Sequence, residues 1–222
     1  MEMRANFHKK LKEIQVDILA MGNMVEKAIS RSVEALKDRD LDLAEKVIDE
    51  DKNINRKRFD TEEKCINLIA TQQPMASDLR IIISIINIIT ELERIGDYAE
   101  GIAKIVLMIG DEPPLKPLVT IPRMAEKTVD MLHRCLDAFT NRDTEAARQI
   151  ASEDTEVDHL YDELYRVLIS FMVEDPKTIT RATRLIWVSH NLERAADRVT
   201  NICERVVFAA TGKMEEIGAS KY

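Results

Sequence analysis

Two short segments of this sequence carry the same acidic residues at the same spacing, which makes them the first candidates for chemistry. Residues 92–97 read LERIGD, and residues 192–197 read LERAAD, 100 residues later. Side chains four positions apart in a helix share one face. Like charges at that spacing repel by roughly 0.2–0.5 kcal/mol, so we infer that each pair binds a cation. The pairs are Glu93 with Asp97 and Glu193 with Asp197.

A second set of polar residues recurs in the segment that precedes each pair. Apolar residues follow three-four spacing over residues 147–171, and Asp154 occupies one of these apolar positions, with Asp158 four residues later. The matching residues in the first half are Asp51 and Asn55. If helical hairpins turn near residues 73 and 175, antiparallel packing sets Asp51 level with residues near 95 and Asp154 level with residues near 196.

The predicted cluster of acids determines the kind of ligand. Ionised carboxylates that are partly withdrawn from water are costly without a counter-charge, and a hard metal cation is the simplest one. Oxygen-only ligands suit Mg, Mn, Ca or iron, whereas structural zinc prefers Cys and His. We expect one site per half, near the surface, for a divalent or trivalent ion such as iron, Mn or Mg. The rival interpretation is an internal salt-bridge network formed by Arg94 and Arg194.

Helices are the elements that would position these residues. Apolar residues recur at steps of three and four from Phe7 to Leu36, which predicts a long amphipathic helix. Only 6 Gly and 6 Pro are present, too few turn formers for a β-sandwich or barrel. We predict six helices, at about residues 7–36, 40–70, 75–108, 119–140, 143–173 and 176–210.

The order of these helices predicts an all-α protein built from two tandem three-helix bundles, each an up-down-up repeat. A proline-rich stretch at residues 111–118 separates them and is predicted to be a linker. We therefore expect a first bundle over residues 1–110 and a second over residues 119–222.

Composition excludes several classes of function. A formal net charge of -8 argues against a nucleic-acid binder, because neutralising phosphates requires clustered Lys and Arg. The N-terminus has no apolar core typical of a signal peptide. The most apolar run, residues 81–89, is far shorter than the roughly 20 residues of a membrane span. Three widely spaced cysteines predict buried, reduced thiols, and we expect a cytoplasmic protein.

Catalysis is the alternative class of function. No nucleophile arrangement and no glycine-rich phosphate loop is found in the sequence. Glu156 and His159 form a single Glu-x-x-His, whereas di-iron carboxylate bundles use two. A metal-dependent enzyme of the di-iron oxidase or phosphohydrolase type is therefore kept as the alternative, and a protein without enzymatic activity is expected. Trp187, beside the apolar face of the last helix, is predicted to lie in the core.

The sequence resembles the PhoU family over residues 7–210. The duplicated LERxxD motif carries the resemblance, together with QQPxxxDLR at residues 72–80. The resemblance implies a cytoplasmic negative regulator of phosphate uptake and phosphate signalling. It implies partners in the phosphate ABC transporter, through its ATPase, and in a sensor histidine kinase, with the membrane reached only through these partners. It also implies metal binding and makes a homodimer plausible.

Members of this family bind metal through Glu-x-x-x-Asp and Asp-x-x-x-Asp motifs. Here the resemblance assigns that role to both LERxxD pairs, to Asp154 with Asp158, and to Asp51 with Asn55. Asn201 matches a family Asn that adds an oxygen, and Gly101 stands at the equivalent place in the first half. Because Asn55 replaces the family's second Asp, we expect the first site to bind metal more weakly or to hold fewer ions. The resulting metal ligands are Asp51, Asn55, Glu93, Asp97, Asp154, Asp158, Glu193, Asp197 and Asn201.

Overall fold

The computed structural model describes the backbone of residues 2–217 and the side chains of residues 6–217. Seven α-helices and no strand occur in this range, and a 3-10 turn at Pro176–Thr178 precedes the last helix. The helices are α1 Glu2–Asp38, α2 Leu41–Gln72, α3 Ser77–Ile109, α4 Thr120–Asn141, α5 Thr144–Ser152, α6 Asp154–Glu174 and α7 Ile179–Thr211.

The helices form two tandem three-helix bundles, so the predicted all-α fold is confirmed. The fifth predicted helix is divided, however, into α5 and α6 by a turn at Glu153. The prediction of one unbroken helix over residues 143–173 is wrong at this point. Ile150 and Val157 on either side of the turn are both buried, so the apolar spacing gives no sign of the break.

The turn between the first and second helix is the same in both halves. Arg39 and Arg142 each adopt a left-handed backbone conformation, with φ of 56° in both cases. The Asp that follows each Arg caps the next helix, because its carboxylate accepts hydrogen bonds from N–H groups of the first turn. Asp40 and Asp143 thus fix the same hairpin register twice, 103 residues apart.

The two bundles pack side by side, with α1 against α4 and α3 against α7. Gly22 permits the first of these contacts, since a Cβ at this position would lie 2.2 Å from the Leu136 Cδ1 atom. Polar side chains join α3 to α7. The Arg198 Nη1 and Asn201 Nδ2 atoms lie 3.4 Å and 3.3 Å from the Glu91 Oε2 atom.

Residues 110–119, between α3 and α4, contain no helix. Buried apolar residues of both halves belong to one continuous core. The division into domains at residues 111–118 stays a prediction. Within the described residues, none of the helices has the length and apolar composition that crossing a membrane requires.

Two smaller predictions concern burial. Cys65, Cys135 and Cys203 are all buried, as predicted. Trp187 is 51% exposed, so its assignment to the core is wrong. The buried face of α7 runs through Leu185 and Val188, and Trp187 lies beside that face and projects toward solvent.

Candidate metal sites

The acidic residues of the second half come from the start of α6 and the middle of α7. Asp154 is the first residue of α6, and Asp158 follows one turn later. Glu193, on α7, is only 7% exposed. The Asp154 Oδ1 and Glu193 Oε2 atoms are both buried and accept no hydrogen bond. Buried carboxylate oxygens without a partner are rare in proteins, which makes this cluster the strongest candidate for a ligand site.

Electrostatics show that these carboxyl groups act on one another. Burial, followed by repulsion from Asp158, Asp197 and Glu193, raises the pKa of Asp154 to about 7. Burial, followed by repulsion from Asp197, raises the pKa of Glu193 to about 7. The pKa of Asp197 is also raised, chiefly by burial, with Arg194 acting in the opposite direction. The hairpin register predicted from the sequence therefore brings α6 and α7 acids together.

The rival salt-bridge interpretation explains only part of this cluster. Arg194 Nη1 lies 2.6 Å from Asp197 Oδ2, so one carboxylate has a cationic partner. His190 Nδ1 lies 3.2 Å from Glu193 Oε2 without forming a hydrogen bond. Burial lowers the pKa of His190, which disfavours the positively charged imidazolium beside Glu193. Arg194 also lowers the pKa of Glu193, but burial and Asp197 outweigh it, and the groups that shift the pKa of Asp154 are all acids.

A cavity of about 470 Å³ opens beside the second site. Asp154, Asp197 and Asn201 line it, so the predicted site is open to solvent. The amide nitrogen of Asn201 donates to Glu91 of α3. Asn201 therefore lies next to the cluster while it also joins the two bundles.

The first site is assembled from α2 and α3. The Asn55 amide donates to Asp51 Oδ2 at 2.7 Å. The Asp51 Oδ1 atom is buried and accepts no hydrogen bond. It lies against Gly96, where a Cβ atom would be 3.5 Å away, as expected if Asp51 is level with residues near 95. Burial, followed by repulsion from Glu100 and Asp97, raises the pKa of Asp51 to about 6.

The Glu93 and Asp97 carboxylates are more open than their counterparts in the second half. Arg94 contacts both of them, with Nε 3.7 Å from Glu93 Oε2 and Nη1 3.8 Å from Asp97 Oδ2. The Arg94 side chain is 58% exposed, and these long contacts are weak. Burial raises the pKa of Asp97. Asp97 and Glu93 also repel the Asp51 carboxylate, and both raise its pKa.

Glu100 is a member of the first site that sequence reasoning missed. Its charge raises the pKa of Asp51 more than any other charge does, and it lines a cavity of about 130 Å³ with Asp51. The signal was available, because residue 100 follows Glu93 by seven and Asp97 by three on the same helical face. The second half has Thr200 at this place, so Glu100 is not part of the duplicated acidic pattern.

The Glu-x-x-His considered for a di-iron enzyme does not join the cluster. The Glu156 carboxylate pairs with Lys127 Nζ at 3.1 Å, and the Glu156 side chain is 58% exposed. His159 is exposed as well. Nothing in the positions of these two residues favours an oxidase.

The described residues contain no group of three or more His, Cys, Asp or Glu side chains already arranged around an ion position. The donors nevertheless fit a hard cation. Each half contributes an inward Asp with a buried oxygen that accepts no hydrogen bond, Asp51 and Asp154. Each also has a carboxylate or amide four residues later and an acidic pair on the facing helix.

Comparison with known proteins agrees with the duplicated architecture. A family model described as the PhoU domain matches residues 18–106 and, a second time, residues 121–206. The phosphate-specific transport system accessory protein PhoU of Escherichia coli (strain K12) is 37% identical over 207 residues, which cover 93% of this chain and 86% of that protein.

Solved structures agree as well. The crystal structure of PhoU from Pseudomonas aeruginosa has a TM-score of 0.89 and 36% identity, and covers 93% of this chain and 100% of that chain. The crystal structure of the phosphate transport system regulatory protein PhoU from Streptococcus pneumoniae has a TM-score of 0.88 and 33% identity, and covers 94% of this chain and 99% of that one. With both halves matched by the family model, the chain belongs to the PhoU family.

Proposed function

We propose that this protein is a metal-binding regulator of phosphate transport that acts through protein contacts. Family membership supports a regulatory role in phosphate transport, since relatives that match almost the whole chain are named accessory or regulatory proteins of phosphate transport systems. Those relatives are not named as enzymes, which is consistent with a protein without catalytic activity.

One observation carries the metal-binding part of this proposal. Asp154 and Glu193 each keep a buried carboxylate oxygen that accepts no hydrogen bond, inside a cluster of four acids. A buried ionised carboxylate without a partner is unfavourable by several kcal/mol. A multivalent cation removes that cost by neutralising the oxygens, and Asp51 presents the same situation in the first half.

The donor set specifies the class of ion. Carboxylate and amide oxygens without sulfur suit Mg, Mn or iron. Asp154, Asp158, Glu193 and Asp197 would hold the ion of the second half, with Asn201 beside them. Asp51, Asn55, Glu93 and Asp97 would hold that of the first. Binding requires these side chains to rotate toward a common point, and a bound ion would fix the spacing of α2 from α3 and of α6 from α7.

Metal binding is tested by titrating Mn²⁺ into chelator-stripped protein by calorimetry. We expect the wild-type protein to bind Mn²⁺ at both sites. Glu93→Gln should abolish Mn²⁺ binding at the first site, and Glu193→Gln should abolish it at the second. Glu163→Gln, an exposed glutamate on α6, is the matched control and keeps both events. If the wild-type protein binds neither Mn²⁺ nor iron nor Mg²⁺, the metal-binding part of the proposal is wrong.

The partners that the family resemblance implies are the ATPase of the phosphate ABC transporter and a sensor histidine kinase. We propose that the protein acts on them in the cytoplasm as a negative regulator and as a homodimer. Capture of membrane proteins from phosphate-replete cells, with and without chelator, tests this. We expect both partners to be retained with metal and reduced by chelator. Equal capture in both conditions would separate partner binding from metal binding.

A further inference from the structure

An arginine–glutamate pair is duplicated next to the candidate sites. Arg31 of α1 pairs with Glu50 of α2, and Arg134 of α4 pairs with Glu153. Each residue of the second pair follows its counterpart by 103 positions, as Asp154 follows Asp51. The Glu of each pair therefore stands immediately before the inward Asp of its site.

We propose that these two pairs are positioning clamps, each of which fixes the backbone that carries the inward Asp of a metal site. The inference rests on the metal binding proposed above and adds residues that bind no ion themselves. It assigns a role to the first helix of each half, which contributes no ligand to either site.

The second clamp has the closer contacts. Arg134 binds Glu153 with both terminal nitrogens, and the Nη1–Oε1 distance is 3.0 Å. Lys127 adds a third contact, with Nζ 2.7 Å from Glu153 Oε2. Glu153 forms the turn that separates α5 from α6, so the clamp sets where α6 begins. Asp154 is the first residue of α6, and its carboxylate follows that placement.

The first clamp has the same relation to its site. Arg31 pairs with Glu50 across the α1–α2 hairpin, and Glu50 lines the same cavity as Asp51. Both hairpins have the same Arg-Asp turn, so each clamp lies at the same distance along the chain from its turn. Met24 stands where the second half has Lys127, and α2 continues without a break.

Stability alone is a poor explanation for the duplication. The side chains of Arg31 and Glu50 are 29% and 55% exposed, and an ion pair at such positions contributes little to folding. The side chains of Arg134 and Glu153 are 36% and 17% exposed, so folding stability accounts for the second pair better than for the first, although both occupy the same place. The bidentate Arg134–Glu153 pair holds geometry well, and residues that orient metal ligands typically change metal affinity 10–100-fold when they are replaced.

The test uses Mn²⁺ titration of the full chain in a Glu93→Gln background, so that the second site is measured alone. An electrostatic role and a positioning role of Arg134 predict opposite effects of Arg134→Met on Mn²⁺ affinity. Removing a positive charge near the site strengthens Mn²⁺ binding if only the electrostatic field matters, whereas loss of the clamp weakens it. We expect Arg134→Met and Glu153→Gln each to weaken binding about tenfold, and the double variant to be no weaker than the poorer single variant.

Asp130→Asn is the matched control. Asp130 also pairs with Arg134, with Oδ2 2.8 Å from Nη2, so its replacement removes one negative charge beside the same arginine and leaves the Glu153 contact. We expect Mn²⁺ affinity within twofold of the background protein, and urea midpoints that are similar for all variants. Unchanged or stronger Mn²⁺ binding in Arg134→Met would overturn the clamp. It would also be overturned if the loss of Mn²⁺ affinity in each variant paralleled a fall in its urea unfolding midpoint. If the background and wild-type proteins both bind no Mn²⁺, the metal-binding proposal itself fails, and the clamp with it.

Discussion

The Glu193→Gln variant offers the most direct measurement of how unfavourable the acidic cluster is without metal. Burial, followed by repulsion from Asp197, raises the pKa of Glu193 from 4.5 to about 7. At about 1.4 kcal/mol for each tenfold change in proton affinity, ionising Glu193 at pH 8 costs the folded state about 3 kcal/mol. The glutamine amide must also be buried at this position, which offsets part of the gain, so we expect Glu193→Gln to raise the free energy of unfolding by about 1–2 kcal/mol.

The sign of the pH dependence follows from the raised pKa. The folded carboxyl group holds its proton more tightly than the unfolded one, so the wild-type protein loses stability as the pH rises from about 4.5 to 7. At pH 5 Glu193 is mostly protonated in the folded state, and we expect only a small difference between the variant and the wild type. Urea unfolding in chelator at pH 5 and pH 8, followed by circular dichroism, measures both differences.

The control for this experiment is Glu163→Gln, which makes the same chemical change on an exposed face of α6. We expect its unfolding free energy to follow that of the wild type at both pH values. A Glu193→Gln variant that is less stable than the wild type at pH 8 in chelator would refute the reasoning, because Glu193 would then have a favourable partner. Added Mn²⁺ should reverse the order, since only the wild type gains binding energy at the second site, whereas both proteins keep the first.

Three further outcomes are expected. Mn²⁺ affinity at the second site should rise between pH 5.5 and 7.5 and then level off. The reason is that burial raises the pKa of Asp154 to about 7 and a metal ligand must be deprotonated. Calorimetry across this pH range measures the affinity, and an affinity that does not change with pH contradicts the prediction. Glu100→Gln should weaken Mn²⁺ binding at the first site several-fold, whereas Asn55→Asp should strengthen it, in the same titration. Gly22→Ala should lower the free energy of unfolding by about 1–2 kcal/mol in urea, because the new Cβ would lie 2.2 Å from a buried Leu136 atom.

Much of the fold could be predicted because apolar spacing is a local signal. Buried residues of α1 recur at the predicted steps from Phe7 to Leu36. The position of Asp51 beside Gly96 also followed from the sequence. Once the turn between two long helices is located, only one register of the hairpin is possible. Both inferences need only the helix repeat and the position of the turn.

The break before Asp154 could not be predicted in this way. It has no glycine or proline, and apolar spacing continues across it. The Glu153 turn is held by Arg134 and Lys127, which lie 19 and 26 residues earlier in the chain. Contacts between distant residues of this kind become visible only when the packing of α4 is known. The same holds for Asn201, whose amide donates to Glu91 of the other bundle.

The two sites are more similar in charge than their motifs indicate. Asn55 removes one carboxylate from the first site, and Glu100 supplies another, so that four acids surround each position: Asp51, Glu93, Asp97 and Glu100 in the first half, and Asp154, Asp158, Glu193 and Asp197 in the second. Glu100 is itself paired with Lys104, with Oε2 2.6 Å from Nζ, so its charge is shared. We therefore expect the first site to bind metal more weakly because of Lys104 and the greater exposure of its acids, and Asn55 alone is not a sufficient reason for that expectation.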